Sequence, residues 1–154
     1  MDWTAQTPEE TAEIGRRIGS HLRAGDVVAL EGPLGAGKTV LVGGIARGLQ
    51  IDPGYSVTSP TFVFAHIYDG KVPLYHIDLY RVEKESELAG IGLGEMLGGD
   101  GVAVVEWFER FPKLWPGDRL NVRIGFGERS SRAISVGGDG VRGNSLERSI
   151  AEDR

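Results

Sequence analysis

Val27-Val28-Ala29-Leu30-Glu31-Gly32-Pro33-Leu34-Gly35-Ala36-Gly37-Lys38-Thr39 is the stretch on which the reading of this chain turns. Residues Gly32 to Thr39 fit G-x-x-x-x-G-K-[ST], the phosphate-binding P-loop pattern. Val27 to Glu31 is a short β-branched apolar run, the pattern of a buried strand. After the loop, Val40, Leu41, Ile45, Ala46 and Leu49 are spaced like one helical face. Strand, glycine loop and helix in this order are the context that the motif requires.

The residue types follow from the chemistry. Glycines let the backbone wrap closely around a phosphate chain with its N–H groups turned inward. The helix that starts at the loop adds its positive N-terminal end. Gly35, Ala36, Gly37, Lys38, Thr39 and Val40 are therefore the candidate nucleotide-binding positions of this stretch. Lys38 can reach the β- and γ-phosphates, and the Thr39 hydroxyl can ligate Mg²⁺.

The bulk composition narrows the class. A chain of 154 residues with 40% hydrophobic and 25% charged residues fits one ordinary globular domain. The net charge of -5 argues against a broad basic face that grips nucleic acid unaided. The absence of cysteine excludes disulfides and thiolate metal sites. Neither a basic-then-apolar leader nor a membrane-length apolar run occurs, so the expected location is cytoplasmic.

Outward from the motif, Thr7-Pro8-Glu9-Glu10 predicts a helix start with Thr7 as N-cap and Glu10 closing a capping box. Ile14, Ile18 and Leu22 give that helix its apolar face, and Gly25 is the expected stop. Thr11 either lines a nucleotide pocket or bonds the local backbone. The hydroxyl-rich segment Asp52 to Thr61 reads as a loop, in the place where P-loop proteins often carry a nucleotide-sensing switch. Phe62 to Tyr68, Asp69-Gly70 and Val72 to Ile77 predict a β-hairpin. Asp78, at the end of that return strand, is a candidate for Mg²⁺ or for orienting a water. His66 and His76 read as structural, since neither has a partner at metal-ligand spacing.

Glycines 90, 92 and 94 divide residues 83–97 into two expected short helices. Val102-Ala103-Val104-Val105-Glu106 has the shape of a Walker-B strand, with Glu106 where an aspartate is usual. Trp107 follows at once. Residues 120–126 and 134–136 alternate around a turn and predict a second antiparallel hairpin. Arg132, at the start of its return strand, either touches nucleotide or is solvated surface. From Gly137 onward few residues are apolar, so a P-loop domain over 1–136 and a flexible polar tail over 137–154 are expected. Gly138-Asp139-Gly140-Val141-Arg142-Gly143 matches G-x-G-x-x-G but lies too near the end for a βαβ unit, and reads as a chance match. The expected fold is α/β: a P-loop NTPase with a mixed central sheet, antiparallel hairpins and flanking helices.

A GTPase would carry N-K-x-D and D-x-x-G; neither occurs, so ATP is favoured by exclusion. An ordered set of segments then resembles the TsaE (YjeE) family of tRNA threonylcarbamoyladenosine biosynthesis. The set comprises Glu10-Thr11, Gly25-Asp26, the P-loop, Ser59-Pro60-Thr61-Phe62, His76-Ile77-Asp78-Leu79-Tyr80-Arg81, Glu87 to Leu93, and Glu106-Trp107 with Glu109. Phe108 departs from a proline that the family often has there, and Pro33 from a polar residue. The resemblance implies a Mg²⁺-dependent ATPase. Lys38, Asp78 and Glu106 would be its catalytic groups, with Thr39 and Glu106 on the metal. Thr61 would sense the γ-phosphate, Trp107 would lie beside the site, and Thr11 and Arg132 would be near the nucleotide. It also implies TsaD and TsaB as partners, with tRNA reached only through them. A stand-alone small-molecule kinase and a nucleotide-gated interaction module are the competing readings; no lid-like arginine cluster supports the kinase.

Overall fold

The computed structural model describes residues 1–60 and 63–154. Thr7 caps the first helix, α1 (Pro8–His21), by accepting from the Glu10 N–H at 3.1 Å. The Glu10 carboxylate reaches back to the Gln6 N–H at 2.6 Å, one residue beyond the capping-box position. Helix α1 ends at His21, before the expected stop at Gly25.

Among the described residues, seven strands form one mixed sheet. They are β1 (Asp2–Ala5), β2 (Val27–Glu31), β3 (Ala65–Tyr68), β4 (Leu74–Asp78), β5 (Val102–Glu106), β6 (Arg119–Phe126) and β7 (Arg132–Asp139). Their order is β1-β7-β6-β2-β5-β4-β3. The P-loop strand β2 lies between β6 and β5 and runs parallel to both. Strand β4 is also parallel to β5, so β2, β5 and β4 end on the same edge. Both hairpins are antiparallel as the alternation predicts.

Side chains on the two faces of these strands separate cleanly, because successive residues point to opposite sides. Val28, Leu30 and Val104 join the core formed with α1, α2 (Lys38–Gly48) and α5 (Gly140–Glu152). Val27, Ile77, Ala103 and Val105 face the other way, toward Leu88 of α3 (Ser86–Gly90) and Leu93 of α4 (Leu93–Met96). Gly92, with φ of 72°, makes the left-handed turn between these two short helices.

Three local expectations are corrected. Strand β3 starts at Ala65, not Phe62. Phe64 has φ of 68°, outside the extended region, and Phe62 lies outside the described residues. The return strand starts at Leu74, not Val72; Pro73 has no N–H for the ladder, and its carbonyl accepts from Val102 at 2.9 Å. The segment from Gly137 is no free polar tail. Strand β7 continues to Asp139 and α5 follows, with Leu146 and Ile150 buried one turn apart. At Gly143 a Cβ would stand 2.2 Å from the Arg119 carbonyl oxygen, so only glycine lets α5 lie this close to β6. Asp118 accepts from the Arg142 N–H at 2.9 Å and so occupies the start of α5. A carboxylate there and an antiparallel β7 leave the G-x-G-x-x-G match without a dinucleotide site.

Arg142 also anchors α5 to the body. Its guanidinium donates to both oxygens of Asp26, at 2.8 and 2.6 Å, and Asp26 is buried. Breaking a buried pair by removing one partner costs about 3–5 kcal/mol. Arg142 retains some exposure, so Arg142→Ala is expected to cost about 3 kcal/mol in urea unfolding. A change below about 0.5 kcal/mol, the range of ordinary surface substitutions, would show that α5 is not held this way.

Candidate nucleotide site

The P-loop begins where β2 leaves the sheet. Gly35 and Gly37 have φ of 80° and 106°, in the region that side-chain-bearing residues disfavour, and Gly37 is the N-cap of α2. The turn brings the first residues of α2, Lys38 and Thr39, to the shared edge of β2, β5 and β4. Lys38 Nζ donates to the Gly32 carbonyl at 2.7 Å and stands 3.4 Å from Glu106 Oε1.

Glu106 ends β5 and Asp78 ends β4, and the two are register partners. Both are buried. Asp78 Oδ1 accepts from the Tyr80 N–H at 2.8 Å. Glu106 Oε2 lies 2.6 Å from His76 Nε2. Burial alone would raise the Glu106 carboxyl, but the His76 hydrogen bond and the nearby Lys38 charge outweigh it. Glu106 titrates below the ordinary carboxylate range and is ionised.

Arg132 sits on the outer side of the loop. Its Nε donates to the Ala36 carbonyl at 2.8 Å and its Nη2 reaches the Gly35 carbonyl at 3.4 Å. The guanidinium lies 4.9 Å from the Phe126 ring centroid. The Ala36 N–H donates to the Pro33 carbonyl within the loop at 3.1 Å. Sequence alone left Arg132 as a nucleotide contact or solvated surface; the geometry gives it bonds to the loop itself.

Two clefts flank the loop. One of about 640 Å³ is lined by Thr7, Thr11, Gly37, Val40, Phe126 and Arg132, among others. The other, of about 290 Å³, runs past Gly32, Lys38, Trp107, Glu109 and Arg123. Trp107 has φ of 63° and leads into the 3-10 turn Phe108–Arg110, which starts at the residue that departs from the family proline. Its ring is 5.0 Å from that of Tyr80 and 5.7 Å from Lys38 Nζ.

The structure thus brings together the P-loop residues 35–40, Asp78, Glu106 and Trp107, with Thr11 and Arg132 on the larger of the two clefts. Thr61 lies outside the described residues. His76, read from sequence as structural, is fully buried and touches a site carboxylate. The signal was the shared spacing of His76-x-Asp78 and Val104-x-Glu106, which puts all four residues on one sheet face.

The donor set fits magnesium and a nucleotide. The Thr39 hydroxyl and an ionised Glu106 are hard oxygen donors, as Mg²⁺ prefers. Among the described residues no group of three or more His, Cys, Asp or Glu could hold a metal ion by itself. Mg²⁺ usually keeps waters and takes phosphate oxygens, with one or two protein ligands. No helix among the described residues is long and apolar enough to cross a membrane.

Comparison with known proteins identifies the family. The family described as threonylcarbamoyl adenosine biosynthesis protein TsaE matches residues 5–134. The tRNA threonylcarbamoyladenosine biosynthesis protein TsaE of Bacillus subtilis is 43% identical over 141 residues, covering 89% of this chain and 87% of the relative. Its counterpart in Treponema pallidum is 37% identical over 136 residues, covering 88% and 99%. The crystal structure of YdiB from Bacillus subtilis superposes with a TM-score of 0.85 at 34% identity, covering 99% of this chain and 95% of that one. The fold is that of a P-loop NTPase, and the chain belongs to the TsaE family.

Proposed function

We propose that this chain is a magnesium-dependent ATP hydrolase that supports threonylcarbamoyl transfer to adenosine in tRNA, working in the cytoplasm with TsaD and TsaB. The observation that carries the reading is the position of Lys38. Its ammonium bridges the P-loop carbonyl of Gly32 and the strand-end carboxylate of Glu106, beside Asp78. A lysine so placed has only to turn from these oxygens to those of a phosphate.

The loop N–H groups and Lys38 bind the phosphates, which lowers the cost of the charge that gathers there during transfer. Thr39 and Glu106 would hold the metal. Magnesium, when bound, would supply positive charge that offsets that of the phosphates. Asp78 accepts a hydrogen bond from the attacking water and orients it. Thr61 senses the γ-phosphate. Trp107 closes the cleft beside Lys38, and Thr11 and Val40 line the nucleotide's other side. ATP is favoured over GTP because the chain carries no guanine-reading N-K-x-D. The acidic net charge of -5 supports leaving the tRNA to partner proteins. The names of the family and of the Bacillus subtilis relative support the pathway.

Hydrolysis of ATP and GTP by the purified chain, with and without TsaB and TsaD, tests this reading when modified tRNA is scored in the same reactions. Hydrolysis should prefer ATP, stop with EDTA and rise with the partners. Lys38→Ala and Glu106→Ala should fold, lose hydrolysis by about 100-fold or more and fail to support modification. Normal modification with either variant would refute the proposal.

Arg132→Ala gives a separate expectation. Loss of its bonds to the Gly35 and Ala36 carbonyls frees the loop without touching Lys38 or Glu106. Each such bond is worth about 1.5–3 kcal/mol when one partner is charged. Nucleotide affinity, measured by calorimetry, should fall about tenfold, one such bond's lower value. Unchanged affinity would mean that the loop holds its shape unaided.

A further inference from the structure

His76 is fully buried in β4, and the mechanism above gives it no task. Its register partner is Val104, two residues before Glu106 on the same face of β5. His76 therefore meets Glu106 along the diagonal between two parallel strands, Nε2 to Oε2 at 2.6 Å. Lys38 approaches the other oxygen, Oε1. The carboxylate is thus held from two sides by groups of different mobility. Lysine is a flexible chain with a charge at its tip, whereas a buried imidazole is fixed by its packing.

An ionised carboxylate only accepts hydrogen bonds, so the His76 nitrogen that faces it carries the hydrogen. His76 Nδ1 is buried and meets no hydrogen-bond partner among the described residues. Of the two ring nitrogens, Nε2 is the one with a hydrogen-bond partner among the described residues, and that partner is Glu106. A glutamate also has one more rotatable bond than the aspartate usual at a Walker-B strand end, and ordering that bond costs entropy. Once Lys38 turns to the phosphates, the hydrogen bond from His76 still holds the carboxylate.

We propose that His76 is a positioning residue for magnesium: it holds Oε2 of Glu106 so that Oε1 stays turned toward the Lys38 side of the cleft when nucleotide arrives. The proposal rests on the magnesium-nucleotide reading of this site. Partners that orient a ligating group commonly change metal affinity by 10–100-fold when removed.

The test is the affinity for a non-hydrolysable ATP analogue, measured by calorimetry on the full chain in saturating magnesium and again in EDTA. The ratio of the two affinities reports metal coupling without any turnover. His76→Leu should lower this ratio about tenfold while changing the metal-free affinity less than about twofold. His76→Gln, which keeps an N–H on a side chain long enough to reach Glu106, should recover most of the ratio. In a Glu106→Gln background, His76→Leu should add no further loss, because the two residues act as one unit. If His76→Leu does not fold, His76→Asn, whose amide is too short to reach, must show the same fall. An unchanged ratio in a folded variant overturns the positioning role. So does an equal loss with and without metal, which marks a merely structural residue. A parent chain with no magnesium enhancement at all sinks the underlying reading together with the proposal.

Discussion

A buried carboxylate has to be paired, and the way Glu106 is paired organises this molecule. Its two oxygens meet His76 at 2.6 Å and Lys38 at 3.4 Å. One contact ties the end of β5 to β4, and the other ties it to the first turn of the P-loop helix. Without them the desolvation of Glu106 would oppose the fold. With them the carboxylate is held below its ordinary titration range at the edge of the P-loop. The same contacts set the resting position of Lys38, so the arrangement that stabilises the chain also prepares its site.

Strand order supplies the rest of the geometry. Because β2 lies between β5 and β6, the loop that leaves it has carboxylate-bearing strand ends on one side and the second hairpin on the other. Asp78 and Glu106 come from the first side. Arg132, from the hairpin, holds the loop's outer carbonyls from the second. The phosphate cradle is thus gripped across its width by residues almost a hundred positions apart in sequence, such as Ala36 and Arg132. Helix α5 completes the body on the α1 and α2 face, clipped to Asp26 through Arg142.

Much of this was legible in the chain. The P-loop with its strand and helix, the two hairpins and the strand-end positions of Asp78 and Glu106 all follow from spacing and alternation, which depend on local backbone geometry. What stayed hidden depends on contacts between distant segments. Strand β1 is four residues long and exists only by pairing with β7. Helix α5 has few apolar residues, and its packing rests on a glycine and an ion pair that no local pattern announces. Arg132 bonds to carbonyls, which every residue has, so sequence carries no sign of it. The contact of His76 with Glu106 was also hidden, because metal-ligand spacing is sought along the chain, while this partner lies across the sheet.

The central claim is that Lys38 is parked between Gly32 and Glu106 and is released to phosphate while His76 keeps the carboxylate in place. A crystal structure of the chain with magnesium and a non-hydrolysable ATP analogue tests it most directly. The account predicts Lys38 Nζ off the Gly32 carbonyl and on a phosphate oxygen. It also predicts Thr39 and Glu106 turned to one magnesium ion, with the bond between His76 and Glu106 intact. Nucleotide bound away from residues 35–39, or Glu106 turned away from the metal with its His76 bond broken, would contradict it.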